Sequence, residues 1–226
     1  MSRSALSYPR IRNQVYQPPF YRLPHVSTRS AFKRLLDVVG ALVGLAILSV
    51  LIVPVAIAIR LDSKGPIFYS QERFGLQGKP FRIYKFRSMV TDADALKATV
   101  KNEAEGLIFK NTADPRITRV GQFLRKTSLD EFPQFWNVLK GDMSLVGTRP
   151  PTGDEVKHYS EHHWRRLDVR PGMTGQWQVS GRSAIKDFEE IVNLDLDYQK
   201  LWTPLYDVKL LVQTVLTLIS KRSGAY

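Results

Sequence analysis

Residues 38–59 read VVGALVGLAILSVLIVPVAIAI, a run of 22 positions without a charged side chain. At 1.5 Å rise per residue, a helix of this length covers about 33 Å, which is enough for a hydrocarbon layer of roughly 30 Å. A cleaved signal peptide is disfavoured because the basic lead-in and the apolar core are both too long. A buried helix of a soluble protein usually has a polar face, and this run has almost none. The stretch therefore predicts a membrane anchor.

The charges on either side of the anchor bear on its topology. Residues 1–34 carry seven Lys/Arg and no acid, and residues 60–87 carry seven Lys/Arg with only Asp62 and Glu72. Because positive charge favours the cytoplasmic side, neither flank is expected to be translocated. Pro54 removes a backbone donor and kinks a helix, and Ser49, one turn earlier, is placed to bond a freed carbonyl. We expect a kinked, re-entrant helix over residues 31–60, with residues 61–226 forming a cytoplasmic domain.

Length and composition limit the remaining possibilities. The 226 residues fit one domain with an appendage, and the net charge of +12 favours an anionic partner such as nucleic acid, acidic lipid or a phosphorylated metabolite. The absence of cysteine excludes disulfides, thiolate metal sites and cysteine nucleophiles. Residues 1–30 contain five arginines, no acid and no apolar period, so we predict a flexible basic arm there.

Two further patterns predict secondary structure. Turn residues at Gly65-Pro66 and between Gly75 and Gly78 bracket two short alternating runs, which indicates a β-hairpin. Its second run puts Lys85 and Arg87 on one face, where cations either protect an edge strand or steer a phosphate. Leu205 to Ser220 carries a helical apolar stripe, so a C-terminal amphipathic helix should lie on the membrane interface or pack on the domain. The expected fold is α+β and mostly helical, with a short hairpin.

Asp130 and Glu131 form an adjacent acidic pair, which is either a helix-capping feature or a candidate catalytic site. Ser128 to Glu131 fits a capping box, but Pro133 would then be the fifth helical residue, where its missing N–H removes a hydrogen bond. With Asp130 as the N-cap, Pro133 falls in the first turn, where that loss is free. The plain interpretation is therefore that Asp130 is only a cap.

A catalytic interpretation uses the same position. A helix dipole keeps a carboxylate in the first turn ionised, as a nucleophile requires. Adjacent acids repel each other, so a cation should lie between them, and Mg²⁺ suits both carboxylates and a diphosphate. The arginines available to clamp phosphate oxygens are Arg116, Arg119, Arg125 and Arg149.

An ordered series of motifs from about residue 31 to residue 226 resembles one family. The motifs are Lys33-Arg34 with Asp37, Gly65-Pro66-Ile67-Phe68, Tyr84 to Met89, Leu124 to Glu131, Asn137 to Ser144, Arg149-Pro150, Arg170 to Gly175 and Gln178 to Arg182. In this order the chain resembles the bacterial sugar transferases that act as monotopic polyprenyl-phosphate phosphoglycosyl transferases. That family commonly has Pro directly after the Ser of the re-entrant helix, whereas Val50 follows Ser49 here and Pro comes at 54. It also tends to have Gly-Pro-Arg-Pro where this chain has Thr148 before Arg149.

The resemblance implies an activity and a set of residues. Such enzymes transfer a sugar-1-phosphate from a UDP-sugar to undecaprenyl phosphate at the bacterial inner membrane and release UMP, through a phospho-aspartyl intermediate. Carried over, Asp130 is the nucleophile, Glu131 assists it, and both lie at a Mg²⁺ ion. The residues implied in substrate or phosphate binding are Arg125, Arg149, Arg170, Lys85, Arg87, Gln178 and Arg182. Nucleic acid is not an expected partner of such an enzyme.

A different class of function is compatible with the charge. A non-catalytic, membrane-tethered protein could hold acidic lipid or nucleic acid through its basic surface, and its binding would weaken steeply with salt. Such a protein would need no paired acid.

Overall fold

A computed structural model describes residues 22–181 and 184–220, and it also gives the backbone of two short strands within the first 21 residues. Its strands are β1 (Arg10–Ile11), β2 (Gln14–Val15), β3 (Phe68–Phe74), β4 (Pro80–Phe86), β5 (Ser144–Val146) and β6 (Gly172–Thr174). Its α-helices are α1 (Ala31–Asp62), α2 (Arg119–Lys126), α3 (Gln134–Lys140), α4 (Gly153–Val156), α5 (Glu161–Trp164), α6 (Gln176–Val179), α7 (Phe188–Leu201) and α8 (Pro204–Ile219). Five 3₁₀ turns are Val26–Arg29, Leu76–Gly78, Ala95–Thr99, Leu129–Glu131 and Arg165–Asp168.

Helix α1 contains the apolar run and extends beyond it at both ends. Its 32 residues correspond to about 48 Å at 1.5 Å per residue. The Ser30 hydroxyl caps its N-terminus by accepting from the Lys33 amide at 3.2 Å. The helix continues through Pro54 as one element, and the Ser49 hydroxyl donates to the Ala46 carbonyl at 2.7 Å. Pro54 frees the carbonyl of Val50, four residues before it, whereas the Ser49 hydroxyl bonds Ala46. The expectation that Ser49 bonds a carbonyl freed by Pro54 is therefore wrong.

The N-terminal end of α1 is fastened to the globular part by three charged side chains. Lys33 lies 2.7 Å from Asp207 of α8, and the Asp37 carboxylate accepts from the Leu145 amide in β5 at 2.8 Å. Arg34 donates to the carbonyls of Val138 and Leu139 at the end of α3, where a cation also complements the helix dipole. These contacts make the start of the anchor part of the domain core.

The C-terminal end of α1 is held by the same domain. Asp62 accepts from the amide of Val120, at the start of α2, at 2.9 Å. Arg87, which directly follows β4, donates to the carbonyls of Ser63 and Lys64. Between the two ends, one face of α1 is packed and the other is an exposed apolar stripe of Leu35, Val39, Leu42, Val43, Ile47, Val50, Val53, Ile57 and Leu61.

Two small sheets support the globular part. β3 and β4 pair antiparallel, with Phe68 opposite Phe86 and Phe74 opposite Pro80, so the predicted hairpin is confirmed. β5 and β6 pair in parallel with Ser144 opposite Gly172, a pairing that the sequence did not indicate. Ile83, Val138 and Tyr198 belong to the central apolar cluster, so the hairpin, α3 and α7 share one core.

The fold class and the C-terminal helix agree with the sequence. The described part of the chain is a mostly helical α+β domain, and α8 occupies the predicted amphipathic segment. α8 buries Leu210 and exposes Leu205, Val212 and Ile219. One side of this helix therefore packs on the domain, and apolar side chains remain exposed on another.

The predicted flexible arm needs a shorter boundary. Its residues 1–21 lie outside the described residues apart from the two backbone strands. Residues 22–30, by contrast, pack on the domain. Arg22 lies 3.0 Å from Asp168, the Ser27 side chain is buried, and Arg170 donates to the Thr28 carbonyl at 2.9 Å. The prediction of a flexible arm is therefore wrong for residues 22–30.

Candidate active site

The acidic pair lies in a 3₁₀ turn at the entrance to α3. Ser128 has φ 56°, a left-handed conformation that is uncommon for a residue other than glycine. It redirects the chain between α2 and the turn Leu129–Glu131. The N-cap of α3 is Pro133, so the prediction that Asp130 caps the helix is wrong. Asp130 is 6% exposed and precedes the helical residues by a full turn.

The turn is fixed to the hairpin through Asn137 of α3. This side chain is fully buried, and its amide oxygen accepts from the Tyr84 N–H at 3.2 Å while its amide nitrogen donates to the Arg82 carbonyl at 2.7 Å. Both bonded groups belong to β4. Because one amide satisfies two backbone groups of the strand, α3 and the acidic turn before it have a defined position against β4.

Lys85 and Arg125 bring positive charge to the acids. The ammonium of Lys85, in β4, donates to the Glu131 carboxylate at 2.9 Å. Arg125 of α2 donates through Nε to the Ser88 hydroxyl at 3.0 Å. Burial lowers the pKa of Arg125, and the charge of Asp130 is the strongest influence in the opposite direction. The two predicted acids and two of the predicted cations thus meet at one place.

A second group of cations lies close to this turn. Arg73 of β3 donates to the Pro150 carbonyl at 2.9 Å, and Arg149 forms an ion pair with Glu155 at 2.9 Å. Burial, followed by the charge of Arg149, lowers the pKa of Arg73 to about 10, and Glu155, Tyr69 and Glu131 oppose the shift. The charge of Arg73 therefore interacts with both Arg149 and Glu131, while the Arg149 guanidinium is paired with Glu155.

Three of the other predicted cations have structural partners. Arg87 is 5% exposed and holds the end of α1, and burial followed by the charge of Arg60 lowers its pKa. Arg170 binds the Thr28 carbonyl. Arg116 forms a 2.6 Å ion pair with Asp114. The contacts of these side chains organise the anchor and the surrounding loops, and the acidic pair is not among the partners found for them in the described part of the chain.

Gln178 and Arg182 complete the predicted set. Arg182 lies outside the described residues. Gln178 is in α6, and its side-chain oxygen is buried without a hydrogen-bond partner among the described residues. Neighbouring Trp177 has the same property at Nε1.

Ser88, Asn137 and Arg73 are not among the predicted site residues. Ser88 and Asn137 each lie within a family motif, so the motif positions were the available signal. Arg73 has no such signal, because an arginine at the end of a strand has the same appearance whether it is buried or solvated.

The two acids are the candidate metal ligands of the site among the described residues. Among the described residues, no group of three or more His, Asp or Glu side chains is arranged to hold a metal ion. Mg²⁺, however, often uses only one or two carboxylates and takes its other ligands from substrate phosphates and water. Asp130 and Glu131 fit that mode of binding.

The sequence comparison identifies the family. The bacterial sugar transferase profile matches residues 28–221, which covers α1, the β3–β4 and β5–β6 sheets and the acidic turn. The chain belongs to the bacterial sugar transferase family.

Individual relatives agree with this assignment. Galactosyl transferase CpsE of Streptococcus agalactiae is 50% identical over 202 residues, which is 88% of this chain and 44% of CpsE. The UDP-glucose:undecaprenyl-phosphate glucose-1-phosphate transferase of Escherichia coli is 36% identical over 211 residues, 90% of this chain and 43% of that enzyme. The uncharacterized sugar transferase EpsL of Bacillus subtilis is 41% identical over 183 residues, 81% of this chain and 85% of EpsL. The chain thus spans less than half the length of the first two relatives and most of the third.

Proposed function

We propose that this chain transfers a sugar-1-phosphate from a UDP-sugar to undecaprenyl phosphate and releases UMP, as the initiating step of polysaccharide or glycoconjugate synthesis. The observation that carries this proposal is the buried Asp130 beside Glu131, with Lys85 and Arg125 as close cationic neighbours. The name of the Escherichia coli relative describes the same reaction for glucose. Membership of a sugar transferase family argues against the alternative of a non-catalytic, membrane-tethered binding protein.

The reaction proceeds in two displacements at the same phosphorus atom. In the first, an Asp130 carboxylate oxygen attacks the phosphorus that bears the sugar. The bond from that phosphorus to the bridging oxygen breaks, and UMP leaves with the bridging oxygen and the electron pair. In the second, an oxygen of undecaprenyl phosphate attacks the same phosphorus. The Asp130 oxygen leaves with its electron pair, which restores the carboxylate and releases the lipid diphosphate sugar.

The surrounding side chains support these displacements electrostatically. Arg125 is close enough to Asp130 for the two charges to interact, and we assign it to the phosphate oxygens that gain charge as the phosphorus is attacked. Lys85 holds Glu131, which keeps the second carboxylate from lying unpaired beside the nucleophile. Arg73 and Arg149 extend the positive region on the side of β3 and the loop after β5, where we place the diphosphate of the donor.

We propose that Mg²⁺ is the cofactor. Asp130 and Glu131 would hold it together with the diphosphate, and it would neutralise charge on the phosphate oxygens.

The site is proposed to lie at the membrane surface. Within the described residues, α1 is the one helix that is long and apolar enough to cross a membrane by length and composition. Both ends of α1 bind the same domain, the N-terminal end through Lys33 and Asp37 and the C-terminal end through Asp62. A straight crossing of a hydrocarbon layer of roughly 30 Å would place parts of that domain on opposite faces. We therefore infer that α1 enters and leaves on the cytoplasmic face with its exposed apolar stripe in lipid.

Activity is tested by UMP release. Purified protein with undecaprenyl phosphate, Mg²⁺ and a panel of UDP-hexoses should release UMP with at least one donor, and Asp130→Asn should lose this release. Donor labelled with ³²P at the sugar-bearing phosphate should label the parent protein in the absence of lipid acceptor, and Asp130→Asn should remain unlabelled. Asp197→Asn is the matched control, because Asp197 forms an exposed pair with Lys200. No UMP with any donor, or labelling of Asp130→Asn equal to the parent, would contradict the mechanism.

Topology is tested by single-cysteine labelling, because the chain has no cysteine of its own. Val26→Cys and Lys64→Cys place exposed thiols before and after α1. Both should react with a membrane-impermeant maleimide from the cytoplasmic side only. Reaction of the two thiols from opposite sides would show that α1 crosses the membrane.

A further inference from the structure

Two buried polar atoms on α6 lack hydrogen-bond partners among the described residues. They are Nε1 of Trp177, an N–H donor whose side chain is 8% exposed, and Oε1 of Gln178, an acceptor. Buried polar groups in folded proteins are almost always hydrogen-bonded, so each exception needs an explanation. A bound group with acceptors and donors would satisfy them, because the indole N–H needs an acceptor and the amide oxygen needs a donor.

The surroundings of the pair connect it to the cations of the active site. The Lys110 ammonium lies 5.1 Å from the centroid of the Trp177 ring. Burial lowers the pKa of Lys110 to about 8, and Arg149 is the next cause of that shift. Arg149 in turn lowers the pKa of Arg73, on which Glu131 also acts. Lys110, which lies against Trp177, thus interacts electrostatically with Arg149, and Arg149 interacts with Arg73.

Backbone packing brings Gln178 to the loop that carries Arg149. A Cβ atom on Gly175 would lie 2.1 Å from the Gly147 carbonyl oxygen and 3.1 Å from Gln178 Oε1. Only glycine at position 175 permits this approach, which puts the Gln178 amide beside the strand end that leads to Arg149. The loop that carries Arg149, which we propose to bind the diphosphate, is thus adjacent to the Gln178 amide.

Apolar side chains surround the Trp177 indole. Ile108, Ile185 and Phe188 pack with its indole in one buried cluster. A hexose has apolar C–H faces and hydroxyls that both donate and accept, so its chemistry matches apolar surroundings with one donor and one acceptor. Because the ammonium of Lys110 already lies over one face of the indole, a nucleobase would find that face covered.

We propose that Trp177 and Gln178 bind hydroxyl groups of the hexose in the nucleotide sugar and contribute to the choice of sugar. This inference rests on the proposed function and extends it to the end of the donor beyond the diphosphate. The indole N–H donates to one hydroxyl oxygen, and Gln178 Oε1 accepts from a hydroxyl of the same sugar.

The test compares donor affinity in Trp177→Phe and Gln178→Met, which keep size and remove the polar atom. With the UDP-hexose that the parent enzyme turns over best, each variant should raise KM roughly 10-fold and leave kcat nearly unchanged, since one hydrogen bond of ground-state binding is lost. UMP lacks the sugar, so its inhibition constant should stay at the parent value. Trp164→Phe changes another buried tryptophan, packed in a separate cluster, and should leave KM unchanged.

Each outcome decides the proposal. A KM equal to that of Trp164→Phe overturns it, and a parallel loss of affinity for UMP overturns it in favour of a nucleoside contact. If a variant fails to fold, the parent enzyme can be assayed with monodeoxy UDP-hexoses, and at least one deoxy position should raise KM about 10-fold. Equal KM for every deoxy analogue overturns the proposal. Absence of UMP release from the parent with all donors would instead refute the proposed function itself.

Discussion

The buried ion pair between Lys33 and Asp207 provides the sharpest stability prediction. Their side chains are 4% and 1% exposed and lie 2.7 Å apart. Removal of one member of a buried pair typically costs about 3–5 kcal/mol, because the other charge remains buried without compensation. In Lys33→Met, Asp207 keeps the Tyr198 hydroxyl at 2.8 Å and the Trp202 indole at 3.1 Å. We therefore expect a loss of about 3 kcal/mol, at the lower end of that range.

The double variant distinguishes the ion pair from simple packing. Lys33→Met with Asp207→Leu removes both charges, and paired apolar replacement is often nearly neutral. The Val146 carbonyl loses its 2.8 Å bond from Lys33 and keeps the Tyr198 hydroxyl at 3.3 Å, so a residual cost of about 1 kcal/mol is expected. The double variant should thus be more stable than Lys33→Met alone.

Denaturant unfolding in detergent micelles, followed by tryptophan fluorescence and far-UV circular dichroism, measures these differences. For a chain of this size, a loss of about 3 kcal/mol corresponds to a fall in Tm of roughly 6–12 °C. Lys200→Met is the matched control, because its pair with Asp197 is exposed at 72% and 50%, and it should cost less than about 1 kcal/mol. A cost of Lys33→Met equal to that of Lys200→Met, or strictly additive single losses in the double variant, would refute the reasoning.

Three further predictions follow from other contacts. A Cβ on Gly121 would lie 2.0 Å from the Ser88 backbone oxygen, so Gly121→Ala should destabilise the protein by about 1–2 kcal/mol in denaturant unfolding, despite a gain in helix propensity of roughly 1 kcal/mol. The control is Gly40→Ala, whose new Cβ meets only the flexible end of Leu145. Equal stability of the two variants would contradict the prediction. Burial lowers the pKa of Lys110 from 10.5 to about 8 in the folded protein, so between these two pH values the unfolded chain binds more protons. The free energy of unfolding of the parent should therefore rise with pH relative to that of Lys110→Met. Parallel stability curves against pH for parent and variant would exclude the shift. Chelation with EDTA should abolish UMP release and added Mg²⁺ should restore it, whereas full turnover in EDTA would remove Mg²⁺ from the proposal.

Local patterns allowed the hairpin, α8 and the general position of α1 to be predicted. Each depends on a repeat of two or about 3.6 residues within one segment, which is visible without knowledge of the partner. The parallel pairing of β5 with β6 joins Ser144 to Gly172, and three-residue strands so far apart have too few positions to show a period. The cap of α3 was mispredicted because the left-handed conformation of Ser128 moves the acids into a separate 3₁₀ turn.

The candidate site was predictable in its acids and only partly in its cations. Lys85 and Arg125 meet the acidic turn, whereas Arg87 and Arg170 bind backbone carbonyls. The sequence shows which side chains are charged, whereas the tertiary fold determines which partner each charge contacts. For this reason, the arginine-rich composition indicated an anionic partner without indicating which arginines contact it.

The fastening of Lys33 to Asp207 has a consequence for biosynthesis. The two residues are 174 positions apart, and a ribosome that adds roughly 5–20 residues per second needs on the order of 10–35 s to reach the second after the first. For much of that interval the apolar helix is outside the ribosome, while Asp207, the partner of Lys33 in its first turn, has not yet been made. Early delivery of the nascent chain to the membrane would shelter the helix until α8 is made, so we expect the order of synthesis to place membrane contact before completion of the catalytic domain.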